Sequence, residues 1–134
     1  MRRRVLLSAL IVALAGPALA ADLPGANWLA VQAGAMALEA ADAVVLAFGD
    51  GRIAGRSGCN RFMGAAELTA LTPAAGRIAL GPLAGTRMAC IGRGDQVEAA
   101  VLAALGAVDG WRIDGDGTLV LTGGGADLLR ARPN

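Results

Sequence analysis

Two cysteines, Cys59 and Cys90, are the side chains of this 134-residue chain with the most chemistry open to them. The first sits in Gly55-Arg56-Ser57-Gly58-Cys59-Asn60-Arg61-Phe62-Met63-Gly64, and the second ends Thr86-Arg87-Met88-Ala89-Cys90. A pair of thiols offers a structural disulfide, two separate buried thiols packed as small apolar groups, or a redox-active couple. The redox reading is the weakest, because there is no Cys-x-x-Cys and no cation-rich helix start beside either sulfur. What is absent narrows the chemistry further. The chain has no His, Lys or Tyr, and Ser57 is its only serine beyond residue 20. No Ser-His-Asp or Cys-His pair, histidine metal site or Schiff-base lysine can be assembled. Carboxylates remain as general bases, and the expectation is no catalytic residue, no metal and no cofactor.

The compartment bears on the cysteines. Arg2-Arg3-Arg4 precedes an apolar stretch from Val5 to Ala15, and Ala18-Leu19-Ala20 has the small-x-small form of a signal-peptidase site. That 11-residue stretch falls well short of the roughly 20 apolar residues that span a bilayer. Residues 1–20 thus read as a signal peptide cleaved after Ala20, leaving a periplasmic or secreted protein. No cysteine follows the cleavage site to carry a lipid, so no membrane anchor is expected. In an oxidising compartment two cysteines most simply form one disulfide. A Cys59–Cys90 bridge would stabilise the fold by about 3.5–4 kcal/mol on the chain-entropy argument. Residues 21–134 suffice for a single domain. Three of the twelve arginines lie in the leader, so nine arginines face eleven acids and the mature net charge is −2. That balance gives no basic excess for nucleic acid.

The elements that must position these residues are mostly strands. Asn27 to Val31 reads as a first strand anchored by Trp28. Ala43 to Phe48 and Arg52 to Arg56 flank Asp50-Gly51, a hairpin signal of the type I′ kind. Gly64 to Leu71 and Arg77 to Leu80 read as two more strands, and Trp111–Ile113, Thr118–Thr122 and Ala126–Ala131 as a closing meander. One helix is expected over Asp95 to Leu105, with Asp95 as N-cap, Glu98 completing a capping box, and Gly106 ending it. Asp114-Gly115-Asp116-Gly117 lacks the later ligands of a calcium loop and reads as a hairpin turn. The sum is an α+β, mainly β domain: a curved or barrel-like antiparallel sheet of six to eight strands with one helix.

The double motif resembles the META/HslJ family of small bacterial envelope proteins. Gly55, Gly58, Cys59, Asn60, Phe62 and Gly64 match its Gly-x-x-Gly-Cys-Asn-x-Phe/Tyr-x-Gly element, and Thr86, Met88 and Cys90 match Thr-x-Met-x-Cys. Arg87 stands where the family is often basic, and the likeness runs from about Asn27 to Arg130. Relatives commonly carry both cysteines, and are associated with heat-shock induction and novobiocin tolerance. Many relatives are lipoproteins, from which this chain departs. The resemblance implies an exported, non-enzymatic, stress-associated monomer that binds an unknown envelope protein or small molecule.

Physical readings of the motif follow. Gly58 and Gly64 are expected at positive φ or close backbone approach, and Asn60 is expected to hold an irregular turn. Thr86 is expected to satisfy backbone donors, and Phe62, Met88 and Trp28 to supply apolar bulk. Packing gives Arg61 and Arg87 no obvious role. Each is expected either to form a salt bridge, to Glu67 or another acid, or to belong to a surface recognising an anionic ligand or partner. The alternative function is a carrier holding a small apolar ligand in a pocket at one end of the barrel.

Overall fold

The computed structural model describes residues 19–20, 23 and 27–134. The leader expectation therefore lies outside the described residues, except for Leu19–Ala20. That pair forms β1, antiparallel to Ala70 and Thr69. The strands that follow are β2 (Asn27–Ala33), β3 (Met36–Ala37), β4 (Val45–Gly49), β5 (Arg52–Arg56), β6 (Arg61–Thr72), β7 (Ala75–Leu80) and β8 (Ala84–Gly85). A 3-10 turn over Ala40–Asp42 separates β3 from β4. Then come α1 (Gly94–Gly106), β9 (Gly110–Ile113), β10 (Leu119–Gly123) and β11 (Ala126–Pro133).

Eight of these strands close on themselves in the order β6-β5-β4-β2-β11-β10-β9-β7, with β7 pairing back to β6. Every pairing is antiparallel, so the expected barrel-like sheet is a closed barrel. The three short segments β1, β3 and β8 add to its strands rather than to the ring. Closure leaves the ring itself no free edge.

Local sequence explains how the ring turns. Asp50 and Gly51 both take positive φ, 53° and 71°, as the β4–β5 hairpin requires. Period-two patterning then sends alternate residues inward. Phe62, Ala66, Leu68 and Ala70 of β6, Leu119 and Leu121 of β10, and Leu129 and Ala131 of β11 share one core. An eight-stranded barrel is just wide enough for its own side chains to fill. Here Trp28 and Trp111, both buried, provide that bulk among many alanines. Val97, Val101, Ala104 and Leu105 bring one face of α1 into the same core. Among the described residues no helix is long and apolar enough to cross a membrane.

The helix start differs from the sequence expectation. The N-cap is Arg93, without a side-chain cap, and no Asp95–Glu98 capping box forms. The Asp95 carboxylate instead accepts the Cys90 N–H at 3.3 Å. Glu98 is drawn away by polar partners in the β5–β6 connection, where two hydrogen bonds outweigh one local cap. Gly106 is the last helical residue, and Ala107 caps the end.

Candidate functional site

Cys59 and Cys90 are bridged, with their Cα atoms 5.7 Å apart across 31 residues of sequence. The bond ties the β5–β6 connection to the loop that enters α1. Gly58 sits beside it at φ 121°, a conformation that L side chains rarely adopt. A Cβ there would also lie 3.1 Å from the Gly94 carbonyl, so the helix start packs against bare backbone. At Gly64 φ is not positive, but a Cβ would come within 2.8 Å of Leu83 and 2.9 Å of the Pro82 carbonyl. Gly55 lies in β5 opposite Leu46, and on its other side Phe62 is its register partner in β6.

Asn60 is buried and organises the polar part of the site. Its Oδ1 accepts the Met88 N–H at 2.7 Å and the Thr86 hydroxyl at 3.0 Å. Its Nδ2 donates to the Met88 carbonyl and to Glu98 Oε2, each at 3.1 Å. Ser57, also buried, donates its hydroxyl to Glu98 Oε1 at 3.0 Å. Thr86 Oγ1 in turn accepts the Arg61 N–H at 3.0 Å. Asn60 therefore does more than hold its own turn: it joins three segments far apart in sequence. The carboxamide uses both its donor and its acceptor here, which is why an amide suits this position. The signal that could have found this role was the shared polarity of Asn60, Thr86 and Glu98, but only the fold brings them together.

Met88 corrects a sequence expectation. Its side chain is 60% exposed and adds nothing to the core. The reason is that Asn60 engages its main chain on both the N–H and carbonyl sides, which leaves the side chain outward. Phe62 and Trp28 are buried as expected.

Arg61 and Arg87 are both exposed, and neither forms an ion pair among the described residues. The expected bridge to Glu67 is thus not observed. Their main chains are nonetheless held: Arg61 pairs with Thr86 through the Thr86 N–H to the Arg61 carbonyl, 2.9 Å, and Arg87 lies between two residues anchored on Asn60. Both line one cleft of about 210 Å³, together with Ser57, Thr86, Glu98 and Leu102. Two guanidinium groups against one carboxylate give that cleft a net positive charge.

The opposite polar cluster spends its charges internally. Arg112 grips Asp127 with both Nη atoms, at 2.6 and 3.0 Å, and meets Asp114 at 2.8 Å. Arg130 completes the set with Asp127 at 2.9 Å. These contacts raise the Arg112 pKa, chiefly through the Asp127 hydrogen bond, and lower that of Asp127. Asp116 accepts the Thr118 N–H, which lowers its pKa within the turn. Asp114 and Asp116 thus serve the turn expected of them, with Gly117 N–H donating to the Asp114 carbonyl.

A solved NMR structure of a protein from Burkholderia xenovorans is similar to this chain at 32% identity. It has a TM-score of 0.56, and the match covers 81% of this chain and 77% of that one. No curated protein gives a significant match. The META domain matches residues 21–134 and is not a known enzyme family. With the double motif, the closed barrel and the bridged cysteines in place, the chain belongs to the META domain family.

Proposed function

We propose that this is an exported, non-enzymatic binding protein that supports the cell envelope under stress, in the manner of the HslJ type, and that it binds through the Arg61–Arg87 cleft. One observation carries the reading. Both arginines line one cavity, have their main chains held by the Asn60 network and form no ion pair among the described residues. Fixed backbone with free cationic heads is what recognition of an anionic group needs. The leader pattern of residues 1–20 supports export, and the absence of His and Lys from the chain supports binding over catalysis.

The test places a photoactivatable residue at Ala84, which is exposed and lines the cleft, in the full chain expressed in bacteria. The expected result is protein in the periplasmic fraction starting at Ala21, carrying an adduct of defined mass. Replacing Arg61 and Arg87 by Gln abolishes the adduct. Protein retained in the cytoplasm with residues 1–20 attached, or an adduct indifferent to the arginines, overturns the reading. A second reading, a carrier of a small apolar ligand, is favoured by the open apolar groove between α1 and the segment following β7.

A further inference from the structure

The cationic cleft does not end in polar surface. Leu83 and Leu102 line it and also line a second groove, so the two cavities are neighbours. The groove encloses about 560 Å³, within the range of ligand clefts. Leu80, Pro82, Leu83, Leu102, Leu105 and Val108 form its walls and floor, and no polar side chain faces it. Leu102 is 39% exposed on the outer side of α1, on a helix whose other apolar side chains are largely inward. An exposed leucine at the junction of a charged cleft and an apolar groove has no structural duty in the barrel core.

Resting on the reading that this cleft is a binding site, we propose that its ligand is a free, single-chain amphiphile with an anionic head, such as a medium-chain fatty acid. The carboxylate would meet Arg61 and Arg87, whose forked donors match its two oxygens. Glu98 keeps its negative charge while its oxygens are held by Ser57 and Asn60, so the attraction for an anionic head rests on the two arginines outweighing it. The acyl chain would lie along the groove past Leu102. Charge at one end and apolar side chains at the other therefore favour an amphiphile over a simple anion.

The experiment is calorimetric titration of the purified protein with monomeric decanoate, alongside acetate, octanoate, decanol and phosphatidylglycerol vesicles. Decanoate is expected to bind one-to-one, with affinity rising about three- to fourfold per methylene from octanoate to decanoate. Decanol should bind at least tenfold more weakly. The Arg61→Gln/Arg87→Gln double variant should lose at least tenfold for decanoate, and Leu102→Asp should do likewise through the chain. Both changes are at exposed positions, and an unaltered melting temperature confirms that the fold persists. Equal binding of decanol and decanoate, equal binding of acetate and decanoate, or indifference to either variant overturns the proposal. So does adsorption to vesicles without binding of the monomer, which would transfer the site to a membrane surface. If decanoate fails while the Ala84 adduct still depends on the arginines, the ligand class falls and the binding cleft stands.

Discussion

Two polar clusters on one barrel use arginine in opposite ways. Around Asn60 the hydrogen bonds run between a buried amide, hydroxyls, a carboxylate and main chain, and the guanidinium groups of the two arginines nearby take no part in them. Around Arg112 the arginines are the network, and two acids neutralise two guanidinium groups at the surface. The first cluster is built on two buried residues, Ser57 and Asn60, and tied by a covalent bond, so it sets the shape of its neighbourhood. The second is solvent-screened and adds little to stability. Among the described residues the arginines of the cleft form no ion pair, whereas those beside Asp114 and Asp127 are consumed by their acids.

That contrast can be broken by substitution, and the effects should differ in size. Asn60→Ala removes an acceptor for two donors and a donor to two acceptors, and leaves the Met88 N–H without its partner. A loss of about 4 kcal/mol is expected in denaturant titration. If Asn60→Ala melted like wild type, the network would be decorative. Cys59→Ser should cost about 3 kcal/mol, read as a fall of about 10 °C or more in melting temperature. A wild-type mass that does not rise by two hydrogens on reduction would sink the bridge itself. Gly58→Ala, forcing a side chain into a positive-φ position against Gly94, should cost about 1–2 kcal/mol.

Arg112→Gln should have a smaller effect, and 1 M salt should erase most of it. Its signature lies in pH. Asp127 is held below the ordinary carboxylate range first by the Arg112 hydrogen bond, so the unfolded chain takes up its proton first as pH falls. The stability this gives is full above about pH 4–5 and is lost as pH drops through the depressed folded value. Thermal melts between pH 2 and 5 should therefore fall less steeply in Arg112→Gln than in wild type. Smallest of all, Arg61→Gln and Arg87→Gln should leave stability within about 0.5 kcal/mol. A marked loss from either would mean that the guanidinium is structural after all, and would remove it from the cleft's recognition role.

Most of the barrel was legible because its strands are specified locally. Asp50-Gly51 turns where a hairpin must, the β9–β10–β11 meander follows its short loops, and Val97, Val101 and Leu105 mark the buried face of α1. Barrel closure through the β7–β9 and β2–β11 pairings joins residues far apart in sequence, which no local pattern specifies.

The sequence by itself determined the residue chemistry available to this protein: two cysteines, no histidine or lysine, and a motif placing Gly58, Cys59 and Asn60 in register with Thr86 and Cys90. Tertiary structure decided what each one does. A capping-box glutamate became the partner of Ser57 and Asn60, and a motif methionine turned outward because its main chain was taken. Two arginines twenty-six positions apart came to share one cleft. Backbone propensity acts over a few residues and is written locally, whereas a polar side chain is satisfied by whichever partner the closed fold brings within reach.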